Sequence, residues 1–403
     1  MKAKLSNERL LAVLIALPSA YVYLSQLISY FAPLSYIRLV LYPIAYCLGI
    51  IGYVRCLKYK QCFSFFCIAV LIILFNFIAY PSFINYFIDT STSAGFLLSD
   101  FAILSLISIP ALFLATRSSD FAALLAAFSQ CGMVIMPLFI LTFVTMAFVF
   151  NTTFDYMNMS YGVVPWLMLC WGYARKEKKI ILTCVCVASF ALVCISGCRG
   201  AAVTCMLFIV LQFISTLKYP ITVKQLLIIV GIIFAVIIVA INLQGIVSAL
   251  YALLTQFGFK SRTLELYLGI GYEKGLGHYS DRSNIQIPLL NSINVFGHGL
   301  YGDRLLTGTG QYAHNVFLEW LIDFGVIIGG GLCIWLIILI SKNIIHLIRN
   351  SVGDEFTIIC AAVAILCCKY MVSASYLHMP EFWMFIGLLI ATVKSSKSRL
   401  EVN

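Results

Sequence analysis

Apolar runs of about 17–27 residues follow one another along almost the whole chain, the length a helix needs to cross a hydrocarbon core of about 30 Å. Water cannot reach backbone N–H and C=O groups in such a core, so a chain of this kind is confined to helices or a closed barrel. The runs are continuous and lack the alternating pattern of barrel strands, so helices are expected. Composition agrees. Of 403 residues, 62% are hydrophobic and 10% charged, whereas a soluble domain carries about a quarter charged residues. The expected fold is an all-α polytopic membrane protein of about twelve spans, near 10–30, 34–54, 62–80, 97–115, 130–150, 160–174, 179–196, 200–217, 225–243, 314–340, 356–373 and 382–394. The first run starts near Leu10 without a small-residue cleavage site, so no cleavable signal peptide is expected.

Charge supplies the orientation. With the N-terminus inside, most of the 26 Lys and Arg residues fall in the short inner segments 1–9, 55–61, 116–129, 175–179, 218–224, 341–355 and 394–403, as the positive-inside rule requires. The net charge of +10 is therefore topological, facing anionic lipid, and calls for no nucleic-acid partner. The exceptions are Arg38, Arg199, Lys260, Arg262, Lys274, Arg282, Arg304 and Lys369. Five of them sit in one long outer loop, 244–313, far longer than an ordinary connector. The whole chain, 1–403, reads as one membrane domain with this loop as a subdomain. GIVSALYALLTQFGFKSR should lie along the surface as an amphipathic helix, and NIQIPLLNSINVFGHG should form a short helix ending at Gly297.

The 15 cysteines lie in or near apolar runs and none falls in that loop, so they read as packing residues rather than a disulfide framework. Cys184 and Cys186 form a C-x-C without an accompanying histidine or acid, and no metal is expected. Phosphate-loop, dinucleotide and zinc-protease motifs are absent. No cofactor is expected.

The polar residues that remain gather near the outer ends of spans. Ionisable groups there are costly and mark a functional site by default. His314 opens span ten, with Asn315, Glu319 and Asp323 following at intervals of four, near one helix face. His314 as a neutral imidazole suits proton acceptance from a sugar hydroxyl; the competing reading is that His314 and Asn315 cap the helix while Glu319 and Asp323 pair with other spans. Gly325, Gly329, Gly330 and Gly331 read as close helix packing. Two roles fit Arg199, in the turn SGCRGAA: anchoring the helix to headgroups, or a bidentate fork for phosphate at a helix N-terminus. Arg282, in HYSDRSN, is either a solvated charge or a second such fork. His298, His378 and Lys369 are further candidates for substrate binding, with Asp100 and Glu381 in support. Lys369, inside span eleven, needs a partner, for which Glu319 and Asp323 are the candidates.

The pieces SGCRGAA at 196–202, SDRSN at 280–284, FGHGLYG at 296–302 and AHNVFLEWLIDFGVIIG at 313–329 resemble the O-antigen polymerase and O-antigen ligase superfamily, with a Wzy-type polysaccharide polymerase the nearest fit. One departure is that Arg282 follows Asp281 where the family more usually has glycine. The resemblance implies a C-type glycosyltransferase fold in the bacterial inner membrane, with both termini cytoplasmic and the active site periplasmic. It also implies substrates linked to undecaprenyl pyrophosphate, and Arg199, Arg282 and His314 as the catalytic residues. A chain-length regulator would be a possible protein partner. The rival expectations are an O-antigen ligase, and a flippase or transporter of lipid-linked sugars.

Overall fold

In the computed structural model, the described residues are 6–28, 35–80, 94–149, 155–196, 198–214, 243–256, 258, 264–265, 268, 282–307, 311–349 and 353–402. Every regular element among them is helical. Helices α1 (Asn7–Ile28), α2 (Ser35–Cys56) and α3 (Lys60–Ala79) lead into α4, which runs as Ala94–Ile103, a π-helical stretch Leu104–Ser108, and Ile109–Thr116. Helix α5 (Phe121–Val144, extended by Thr145–Val149), α6 (Tyr156–Lys176), α7 (Ile180–Ser196) and α8 (Arg199–Ile214) follow. The expected span at 225–243 lies almost wholly outside the described residues. Next come α9 (Leu243–Gln256), α10 (Arg282–Asn291), α11 (Gly302–Thr307) and the long α12 (Val316–Arg349). The chain closes with α13 (Asp354–Ala364, Ile365–Lys369, Tyr370–Val372) and α14 (Pro380–Val402).

Among the described residues, five helical stretches are long and apolar enough to cross a membrane: Asn7–Ile28, Ser99–Thr116, Phe121–Ala147, Val316–Ile348 and Asp354–Val372. Shorter apolar helices accompany them. Many Ile, Val and Phe side chains point outward from the bundle, as expected where the surroundings are lipid. Basic residues at helix ends are engaged by neighbouring helices, three of them around the α2–α3 junction and its neighbours. Arg55 reaches Asn7 at 3.4 Å, the Arg117 guanidinium lies 3.7 Å over the Tyr59 ring, Lys394 donates to Gln61 at 2.9 Å, and Lys176 pairs with Asp354 at 2.9 Å.

Span ten departs from expectation. As one straight helix, α12 would be about 50 Å long, well beyond a core of about 30 Å. It is broken at Gly325 (φ 72°, ψ 178°), a conformation open only to glycine. The Cys333 sulfur lies 3.9 Å from the Phe317 carbonyl, although sixteen residues of straight helix would separate them by about 24 Å. Residues 316–324 therefore fold back along 326–349. Gly329 permits this, since a side chain there would collide with the Trp320 carbonyl. The break exposes backbone groups that must be satisfied, and the preceding loop does so. His298 N–H donates to Ile322 O at 2.8 Å, Gly299 N–H to Asp323 O at 2.9 Å, and Val326 N–H to Asn294 O at 3.0 Å.

That service explains a second departure. Helix α10 ends at Asn291, not Gly297, because the Asn294 side chain accepts from the Phe296 and Gly297 N–H groups and sets a turn in place of the helix. Gly325→Val should cost about 1–3 kcal/mol for the backbone conformation, with a further loss from collision with Val295 and Gly297. Gly330→Ala, at a helical position with open space around it, should leave stability unchanged or slightly raised. Thermal unfolding of the two detergent-purified variants would test this, and equal midpoints would contradict it.

Candidate functional site

The short helix α11 is held against the bundle by its own side chains. Asp303 is fully buried and accepts from the Arg304 and Ala313 N–H groups, both at 2.8 Å. Arg304 links Asp303 to other elements. Its Nη1 is 3.4 Å from Asp303 and 3.5 Å from Glu319, and its Nη2 donates to Ser375 at 3.2 Å and His378 Nδ1 at 3.4 Å. Asp100 of α4 completes the shell at 3.7 Å, and the rings of Tyr301 and Tyr312 flank the guanidinium carbon at 5.0 and 5.7 Å. Burial works against the charge of Arg304, but Asp303, Glu319 and Asp100 around it more than offset that and hold it protonated. Burial also raises the Asp303 carboxyl above its usual range, partly countered by Arg304.

Glu319 and Asp323 both face this cluster, as their spacing implies. Glu319 accepts from the Ser375 hydroxyl and, at 3.3 Å, from Tyr376 N–H. Asp323 accepts from Gly302 N–H at 2.9 Å and the Tyr376 hydroxyl at 2.7 Å. Lys369 does not pair with either. It is buried on the π-helical stretch of α13, where it binds Glu381 of α14 and donates to the Tyr161 carbonyl at 3.3 Å. The reason lies in local geometry. A π turn shifts the helical register, and the following link brings α14 back with Glu381 foremost.

A cavity of about 270 Å³ opens beside the cluster, its polar lining residues including Asp100, Asn158, Tyr161, Lys369, His378 and Glu381. His378 is lowered to about 3 by burial and by the Arg304 guanidinium. It is neutral at pH 7, so its 3.8 Å approach to Asp100 is a dipolar contact, not an ion pair. Arg304 donates to Nδ1, which leaves the proton on Nε2. The ring therefore presents a donor rather than a base.

His314 reaches the same neighbourhood through Tyr312. Their ring centroids are 4.1 Å apart, and Tyr312 stands 5.5 Å from His378. The His314 backbone is left-handed (φ 57°), an uncommon state for histidine. Asn315 caps α12, accepting from Phe317 and Leu318 N–H at 3.0 and 3.1 Å while donating to Met371 O at 3.1 Å. Arg199 is exposed at the start of α8. Gly200 beside it is already helical, and its missing side chain admits the Tyr161 hydroxyl. Arg282 begins α10, one turn before Gln286, which donates to Ala313 O at 3.2 Å; the Arg282 side chain lies outside the described residues. The His298 ring contacts Ser292 O at 2.7 Å and Asn294 at 3.1 Å, stiffening the loop rather than facing the cavity.

Sequence reasoning did not single out Arg304, Asp303, Ser375 or Tyr376. The available signal was Arg304 itself, one of the few cations that fall outside the inner segments expected from the positive-inside rule. Removing it by Arg304→Met would strand three carboxyls and should cost about 3–5 kcal/mol, the usual penalty for breaking a buried pair. Arg304→Lys should recover part of that in thermal unfolding.

The histidine carries a pH signature. Between pH of about 6.5, its unfolded value, and about 3, the unfolded chain binds a proton that the folded chain lacks. Stability from His378 therefore falls as pH falls through this window. His378→Gln should flatten the wild-type decline in melting temperature from pH 7 to 4.5, and an unchanged slope would refute the neutral assignment. Compared with family models, curated proteins and solved structures, the chain matches none.

Proposed function

We propose that the protein is a polysaccharide polymerase of the bacterial inner membrane. It would transfer a glycan chain from undecaprenyl pyrophosphate to the terminal sugar of a lipid-linked repeat unit at the periplasmic face. The observation that carries this reading is a cavity in an apolar helical bundle that gathers Asp100, His378, Lys369 and Glu381 in its wall, with the Arg304 network behind His378 and His314 one ring further away across Tyr312. A volume of about 270 Å³ is at the small end of ligand pockets, which suits a terminal sugar whose remaining chain stays outside.

In the reaction, an acceptor hydroxyl oxygen bonds to the donor's anomeric carbon. The bond from that carbon to the pyrophosphate oxygen breaks, and undecaprenyl pyrophosphate leaves. Arg199 and Arg282 would stabilise charge gathering on the leaving group, as guanidinium groups do for phosphates. His314 would take or orient the hydroxyl proton. Glu381 and neutral His378 would hydrogen-bond the sugar, and Lys369, buried against Glu381 and the Tyr161 carbonyl, would hold that carboxylate in place. Arg304 is too deeply buried to meet substrate and acts as a positioning residue for Glu319, Ser375 and His378. The energy comes from the sugar–pyrophosphate bond, in keeping with the lack of nucleotide motifs. The twelve-span topology, the cytoplasmic termini and the periplasmic side of the 244–313 segment belong to the same proposal, as does a ligase acting on lipid A core as the nearest alternative.

A flippase for lipid-linked sugars is a second reading, favoured by the break in α12 and by buried charges on several helices, features that transporters share. Loss-of-function variants separate the three. Arg199→Ala, Arg282→Ala and His314→Ala, each at wild-type membrane levels, should leave cells with single-repeat glycan on the lipid acceptor. Wild-type chain-length ladders would exclude these catalytic assignments. Long chains stranded on the carrier would indicate the ligase, and repeat units retained on the cytoplasmic side the flippase.

A further inference from the structure

A second cavity shares no lining residue with the first. It is an apolar groove of about 590 Å³ between α3, α4, α12 and α14, walled by side chains such as Phe65, Ile72, Phe113, Trp335 and Ile390. It extends along α4 from Leu104 to Arg117, a rise of about 20 Å, which exceeds the roughly 15 Å hydrocarbon depth of one leaflet, half of about 30 Å. Its basic end is built differently from the rest. There Arg117 and Lys394 face the same opening and sit close enough to repel one another. Both heads are fixed by the start of α3, Arg117 by its stack on Tyr59 and Lys394 by its bond to Gln61. None of the groove-lining residues is acidic.

General positive-inside bias accounts for cations at this pole, but not for two of them at the mouth of an acyl-sized groove. An anion with a long apolar chain satisfies both ends at once. We propose that the groove binds an acidic glycerophospholipid from the leaflet at the basic pole, with its phosphate between Arg117 and Lys394 and an acyl chain along α4. Guanidinium offers the phosphate a bidentate fork, and basic pockets between membrane helices are suited to anionic headgroups. A polyprenyl pyrophosphate carrier engaged at the polar cavity would present its charged end near Asp100 and His378, away from this pole, so it is not the expected occupant. The inference goes beyond the polymerase reading and does not depend on it.

The test is native mass spectrometry of the full-length protein released from detergent, with phosphatidylglycerol and phosphatidylcholine of identical acyl chains supplied in equal amounts. Wild type should retain phosphatidylglycerol at least fivefold over phosphatidylcholine. Arg117→Ala/Lys394→Ala should abolish the preference, and the charge-keeping exchange Arg117→Lys/Lys394→Arg should preserve it. Ala69→Trp, which fills the groove and keeps both cations, should reduce total lipid retained. Equal retention of the two lipids by wild type would overturn the proposal. So would preference surviving the double alanine variant, or displacement of phosphatidylglycerol by equimolar undecaprenyl phosphate. If the alanine variant does not fold, the exchange and Ala69→Trp variants decide: loss of preference in the former, or undiminished retention in the latter, counts against the site.

Discussion

A guanidinium buried in a lipid-embedded bundle must find its counter-charges and hydrogen-bond partners within the protein, and Arg304 finds them on four separate segments. Asp100 comes from α4, Asp303 from α11, Glu319 from α12, and Ser375 with His378 from the link between α13 and α14. A pair of this kind adds little net stability over an apolar replacement, because desolvation consumes most of the Coulomb gain. Its effect is on specificity: any arrangement that separates these segments leaves a buried charge unpaired. The network thus fixes how the 282–315 segment docks on the bundle, and that docking places His314 beside Tyr312 and His378.

The broken α12 follows from the same docking. A helix interrupted within a membrane protein persists only where protein supplies the lost hydrogen bonds. Here the 294–302 turn supplies them in both directions, donating to Ile322 and Asp323 and accepting from Val326. Asn76 and Tyr80 of α3 then bind the turn itself, through Leu300 N–H at 2.6 Å and Gly297 O at 3.1 Å. Loop and break are therefore one unit. The glycines at 297 and 325 approach each other backbone to backbone, with no room for a side chain on either.

Helix positions are legible in the sequence because hydropathy is local and strong; α3, α7 and α14 begin within two residues of expectation. Glu319 and Asp323 meeting one cluster is legible for a related reason, since helical spacing is periodic. What is not legible depends on contacts distant in sequence. The fold-back of α12 rests on carbonyls satisfied from twenty-odd residues upstream, and the Lys369–Glu381 pair on a π turn that no apolar pattern announces. Arg304 is an intermediate case: its charge is conspicuous as an exception to the expected positive-inside pattern, but its partners come from segments far apart in the chain.

The polar site and the apolar groove lie on opposite sides of the same thin wall. Tyr376 shows how thin it is. Its hydroxyl donates to Asp323, its N–H donates to Glu319, its carbonyl accepts from Trp383 at 2.8 Å, and its ring lines the groove. The ring of Trp320 meets it edge-on at 6.0 Å, and that of Phe382 is tilted against it at 6.5 Å. Side chains this closely packed have few alternative arrangements, so occupancy of the groove bears directly on the residues that hold Glu319 and Asp323 in place. The wall needs an aromatic with a polar tip at this point, because only such a side chain satisfies a buried carboxylate on one face and hydrocarbon on the other.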